Sequence, residues 1–339
     1  MRRHAAVLLA VTVLAGAAPG TTSAQEEGAD KPTPSVLEVP FASDRTTNVA
    51  LVIGYLQEDI ARRARIRMLE PATGLGRGPR AGSGSGNSPE SFAVWTGLHG
   101  ATLSFNADGF DGDHAGGTVG VDFDLGPDWL AGFRFGYDDT DLDTAFDGRA
   151  GTLEARSFSF TFYGAWRPYE NWVVDGFFGV ARTTYDIASE EVTGSADGDR
   201  FLGGLGASAL YDLGGFRLTP RVSLAMAVDS AVDFQDSVGL EVTNDLLTYI
   251  ELLGGGEAAY PLALSDGTVL EPWLSAALVG TLDEVGRNSA VGDGVHGRFG
   301  AGLRLRHGQI ALDIEGCVGG LGDRDFTDYG GLVRFAWQF

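Results

Sequence analysis

Only one cysteine occurs in 339 residues, and beyond the first two dozen positions no apolar run is long enough to cross a bilayer as a helix. A lone Cys317 makes no intrachain disulfide, so the fold rests on packing and hydrogen bonds and not on covalent staples. It reads as a small residue packed on a strand. Histidine is scarce too, at five, and no cysteine cluster or His/Cys pair has metal-ligand spacing, so neither a metal nor a cofactor is expected. Acids outnumber bases 46 to 24, the wrong sign for a nucleic-acid partner. Any membrane contact has to come from strands or from a surface.

What the chain has in abundance is glycine, 51 residues, with Gly/Asp/Asn/Ser clusters at short intervals, as in an all-β chain with many turns. Its first residues read as a leader. Arg2 and Arg3 supply a basic start, an apolar stretch runs from Ala5 to about Ala15, and Thr22-Ser23-Ala24 offers small residues for cleavage before Gln25. Residues 1–24 are thus expected to be a cleaved signal peptide, and 25–45, polar with three prolines, a disordered segment. Residues 46–70 read as an amphipathic helix capped by Asn48, with Val49, Val52, Ile53, Leu56 and Ile60 as its apolar stripe. Arg62, Arg63, Arg65 and Arg67 sit near its carboxyl end, where the macrodipole favours cations. Pro71 stops it, and 71–91, rich in Gly, Pro and Ser, is a flexible linker. Its glycines neither follow a strand nor open a helix, so they are not a phosphate loop.

From Phe92 the pattern changes to period two, and twelve strand-like segments follow, at about 92–105, 115–125, 129–138, 153–167, 171–185, 200–213, 216–228, 245–264, 268–282, 295–306, 309–319 and 329–339. Trp129, Ala131, Phe133, Phe135 and Tyr137 alternate with Leu130, Gly132, Arg134, Gly136 and Asp138. Val295, Phe299, Leu303 and Leu305 alternate with His296, Arg298, Arg304 and Arg306. One face wants hydrocarbon and the other wants water.

A soluble sandwich shows the same alternation, but the connections discriminate. Tight turns at 126–128, 168–170, 214–215, 265–267 and 307–308 alternate with longer loops near 106–114, 139–152, 186–199, 229–244, 283–294 and 320–328. Short turns on one rim and long loops on the other mark an up-and-down barrel spanning an outer membrane, with the lipids of that membrane against its wall. The long loops hold 22 carboxylates against Arg149, Arg287 and Arg324, so nearly all of the net charge of −22 belongs to one surface. All six tryptophans lie near the short-turn rim or the chain ends, as half of an aromatic girdle would.

The fold class is therefore an all-β membrane barrel of about twelve antiparallel strands, over 92–339, preceded by one short helix and a linker. In such a barrel the last strand closes on the first. Val333, Phe335, Trp337 and Phe339 form the apolar row of that last strand and are expected to offer the barrel-assembly machinery an edge for strand addition.

Phe92 to Phe339 resembles the translocator β-domain of bacterial autotransporters. The resemblance is carried by Trp95, by the Leu-x-Pro entries Leu218/Pro220 and Leu270/Pro272, by the Gly-rich "GRFGAGLRLR" and by the terminal phenylalanine. It implies an exported amino-terminal passenger, a helix lying in the pore and a place in a Gram-negative outer membrane. Only Gln25 to Ser91 precedes the barrel here, too little for the long β-helical passenger common in the family.

Three readings follow. In the first, the barrel is translocator-like, or a surface-exposed structural barrel without a large passenger; its helix either lies in the lumen or at its mouth, where its arginines meet inward Asp122, Asp124, Asp175, Asp313 and Glu315, or is a solvated periplasmic helix. The second is a diffusion channel lined by Arg134, Arg217, Arg221, Arg298, Arg304 and Arg306. The third is a membrane-embedded hydrolase, for which only His114, placed in an acidic loop near Asp111 and Asp113, offers a start; no catalytic residue is assigned.

Overall fold

A strand with one apolar and one polar face needs two solvents, and a closed sheet across a membrane provides lipid outside and a polar lumen inside. The computed structural model describes Ser35 and residues 37–69, 92–105, 110–146, 149–189, 192–285, 294–322 and 326–339. The expected leader, most of the 25–45 segment and the 71–91 linker lie outside the described residues.

One helix, α1 (Glu38–Met68), precedes twelve barrel strands. These are β1 (Phe92–Phe105), β2 (Phe110–Asp124), β3 (Trp129–Phe146), β4 (Arg149–Tyr169), β5 (Trp172–Ser189) and β6 (Val192–Ala209, continued by Tyr211–Leu213). The second half comprises β7 (Phe216–Ala231), β8 (Leu247–Ala259), β9 (Val269–Val285), β10 (Val295–His307), β11 (Ile310–Leu321) and β12 (Phe326–Gln338). Each strand pairs antiparallel with its sequence neighbours, and β12 pairs with β1 from Gln338↔Ala93 to Phe326↔Phe105, which closes the sheet and leaves it no edge. Gly214 and Gly215, at φ +62° and +99°, make the two-residue turn before β7, a backbone open to few residues besides glycine. Among the described residues no helix is long and apolar enough to cross a membrane.

The strands run further than the sequence pattern suggests. Those expected to be loops at 106–114, 139–152 and 186–199 are largely strand, and β4 reaches 21 residues where roughly 9–11 cross a membrane. The outward row explains why. On β3 it passes from Phe133, Phe135 and Tyr137 to Asp139, Asp141 and Asp143; on β5 it passes from Phe178 and Val180 to Arg182, Thr184 and Asp186. Above that level both faces meet water, so alternation loses its contrast while the ladder continues.

The helix also begins earlier than expected, at Glu38 and not Thr46, and ends at Met68 and not Glu70. Burial of Leu37 and Phe41 against Leu103, Leu142, Leu153 and Tyr185 stabilises its first turn. Asn48 is consequently not a cap but a buried residue of the helix interior.

Outward Val333, Phe335, Trp337 and Phe339 of the closing strand are all exposed to the surroundings of the barrel. Phe339 donates its N–H to the Phe92 carbonyl at 2.9 Å, and its ring stacks on those of Phe92 and Trp337 at 4.8 and 5.2 Å. A charge at the interface costs a finished barrel only about 0 to 1 kcal/mol. Phe339→Asp is therefore expected to lower the yield of heat-modifiable barrel in membranes far more than Val238→Asp on an exposed loop, because it acts before the seam has closed. Equal, small losses would show that the terminal ring has no part in closure.

Candidate functional site

The helix lies along the lumen and is bound to the wall in three layers. Near its start Arg45 donates to Asp229 at 2.9 Å, and Asp229 also accepts from Arg200 and Tyr185 at 2.9 Å each. Asn48 bridges the same layer, accepting from Arg200 at 2.7 Å and donating to Thr140 at 2.9 Å. At mid-helix the signs reverse. Glu58 accepts from Arg221 at 2.5 Å, and Asp59 accepts from Arg334 at 2.8 Å and Arg134 at 3.3 Å. At the lower end Arg62 meets Asp313 at 3.1 Å and Glu315 at 2.9 Å, Arg63 binds Asp122, and Arg67 binds Asp124 at 2.8 Å.

Two tryptophans belong to this network and not to the girdle. Trp95 and Trp273 are buried in the lumen, whereas Trp129, Trp166, Trp172 and Trp337 face outward. Arg63 sits over the Trp95 ring at 4.5 Å and Arg62 over Trp273 at 4.3 Å, so each guanidinium has a carboxylate beside it and an indole face beneath. Trp95 also donates to Asp122 at 3.2 Å, and Tyr163 donates to the same carboxylate. Gly120 and Gly302 make room, because a Cβ there would lie 2.5 and 2.4 Å from the indoles of Trp95 and Trp273. Lys31 is the sole lysine among 24 cations, which suits sites requiring planar, multidentate contact.

The ends of the helix are tied down separately. Arg167, beside a short turn, donates to the Met68 carbonyl at 3.1 Å, satisfying one of the helix's last acceptors. At the other end Ser35 donates to Asp236 of the 229–244 loop at 2.7 Å, and Val238 and Leu240 donate backbone N–H groups to the same side chain. Desolvation pushes the Asp236 carboxyl up, but these donors outweigh it and hold the group below the ordinary carboxylate range. That tie is complete above the ordinary carboxylate range and is lost as pH falls through the depressed value. The helix therefore starts at the long-loop rim and finishes at the short-turn rim.

The model of the autotransporter β-domain family matches residues 94–316. The chain belongs to that family. Autotransporter translocator domains are also its structural relatives. The β-domain of Bordetella BrkA superposes with a TM-score of 0.63 at 17% identity, over 73% of this chain and 98% of that one. The NalP translocator of Neisseria meningitidis gives 0.62 at 17% identity, over 88% and 99%. The AIDA-I transport unit of Escherichia coli gives 0.60 at 12%, over 81% and 98%. At these identities the likeness shows the fold. This autotransporter barrel is accordingly an outer-membrane domain set among lipids.

The residues singled out in the sequence fall as follows. Besides the contacts above, Arg217 meets Glu271 at 2.8 Å, Arg304 meets Glu257 at 2.5 Å and Glu271 at 2.8 Å, and Arg306 lies 3.9 Å from Glu271. Arg298 reaches within 3.7 Å of where a Cβ on Gly54 would stand. Asp175 is buried, with one carboxylate oxygen unpartnered among the described residues. Arg65 turns to Glu58 at 3.4 Å and Glu257 at 3.9 Å, not to the acids expected for it.

Glu58, Asp59, Arg200, Asp229, Glu257, Glu271 and Arg334 were not anticipated. The strand members among them share parity with polar neighbours, as Glu271 does with Ser275, which is the signal that marks them. His114, expected in a solvated loop, is a buried lumenal residue of β2.

Removing one member of a buried pair strands the other charge at a cost of about 3–5 kcal/mol, against about 0–1 for an exposed pair. Arg63→Ala, which leaves Asp122 behind, is expected to destabilise the folded barrel by an amount in the first range, and Arg182→Ala, which frees exposed Asp197 and Asp199, by one in the second. Denaturant titration in detergent measures both; equal effects would contradict the buried lock.

Proposed function

We propose that the chain is exported through a cleaved leader, inserted by the barrel-assembly machinery acting on β12, and resident as a translocator whose own helix closes the pore. The observation that carries this is the direction of α1. Its amino end is latched to an outer loop by Ser35–Asp236, and its carboxyl end is held beside a periplasmic turn by Arg167. A helix so threaded is what remains when a chain has passed outward through its own barrel. The barrel itself then serves passage of the chain's amino-terminal part and not catalysis.

A diffusion channel needs an open lumen, and here the channel-lining arginines Arg134, Arg221 and Arg304 are occupied by carboxylates. An epitope placed ahead of Ser35 is expected to be cut by protease on intact cells, and one inserted at Gly82 to be protected. The reverse pattern would overturn the proposed orientation. Deleting residues 38–68 is expected to raise single-channel current in planar bilayers; unchanged current would remove the plug from the account.

A further inference from the structure

We propose that His99, His114 and Asp138 form a site for a divalent transition-metal ion of the zinc type in the lumenal wall. The three come from adjacent strands, β1, β2 and β3, and offer ligand atoms that all lie within 4.8 Å of one another. His99 Nε2 is 2.9 Å from Asp138 Oδ1, and His114 Nε2 is 3.7 Å from the same oxygen. Two ligands on a tetrahedral zinc stand about 3.3 Å apart, given metal–ligand distances near 2.0–2.1 Å, so these separations bracket what an ion requires.

Three independent features prepare the site. Gly116 of β2 is paired with His99 on one side and Asp138 on the other, and a Cβ there would fall 2.4 Å from His99 Nε2 and 2.5 Å from Asp138 Oδ1. Glycine thus leaves open the space in which the two side chains meet across β2. His114 Nε2 and Asp138 Oδ2 are buried without a hydrogen-bond partner among the described residues. Orientation is fixed from behind. Arg200 donates to Asn48 Oδ1, which turns Asn48 Nδ2 to Thr140 Oγ1, and His114 Nδ1 lies 2.8 Å from that hydroxyl. The ring is thereby held with Nε2 facing the cluster, and in the tautomer that donates from Nδ1 the Nε2 lone pair is the one offered to an ion, as in metal-bound imidazoles.

Tyr55 of the helix stacks over both imidazoles, at 4.6 and 5.5 Å, and donates to the Gly100 carbonyl at 3.1 Å. Beside it a cavity of about 70 Å³, lined by Gly54, Tyr55, His99 and Cys317 among others, opens against His99 and is large enough to hold water. An ion held there joins three strands next to the β1–β12 seam and fixes the platform on which the helix rests.

The test is metal content. Untagged full chain folded in detergent is given zinc, freed of excess by gel filtration, and assayed by elemental mass spectrometry. About one zinc per chain is expected in the wild type and in His307→Ala, with cobalt substitution giving the visible bands of a tetrahedral site. His114→Ala and Asp138→Asn, each checked for heat-modifiability, are expected to weaken retention by at least about tenfold. A wild type that keeps no zinc overturns the proposal whatever the variants do, and so does undiminished retention in both folded variants.

Discussion

A charge on the inner wall of a membrane barrel must find a counter-charge, and here the helix brings it. Glu58 and Asp59 meet wall arginines, while Arg62, Arg63 and Arg67 meet wall carboxylates, so neither partner is complete alone. Each ion forgoes hydration on entering the lumen, and only close, multiply hydrogen-bonded pairing offsets that. The register between helix and wall follows from this requirement. A helix shifted by one turn in one direction would set Glu58 and Asp59 against the wall acids, and in the other would set Arg62 and Arg63 against Arg221 and Arg334.

The same constraint separates what the sequence discloses from what it hides. Strands announce themselves where their two faces meet different solvents, which is why Phe133-to-Tyr137 and Val295-to-Leu305 read so plainly. Once β3 and β5 rise clear of lipid, Asp139, Asp141, Arg182 and Asp186 replace the aromatic row, and a ladder that continues looks like a loop. The helix start was concealed for another reason: the chain turns helical from Glu38 because Leu37 and Phe41 bury against the wall, not because of local propensity.

For the lumen, residue type was legible and partnership was not. Trp95 shares parity with Gly97 and His99, and Trp273 with Glu271 and Ser275, so both inward indoles were readable as such, yet proximity to the rim suggested the girdle. That Arg63 stacks on Trp95, and that His99 and Asp138 meet over Gly116, depends on strand register, which no local pattern supplies. The histidine cluster and the ion-pair layers are two consequences of one geometry: glycines thin the wall where large or charged side chains must cross it.

The central claim is that α1 occupies the lumen of the folded barrel, and Cys317 reports on it directly. This single thiol lies on β11 in the lumenal row of Asp313 and Glu315, beside the cavity that Tyr55 covers. Its rate of labelling by a bulky, water-soluble maleimide, measured on folded, heat-modifiable protein, compares the full chain with one lacking residues 38–68. The account predicts slow labelling in the full chain and rapid labelling once the helix is gone. Equal rates in the two would contradict it.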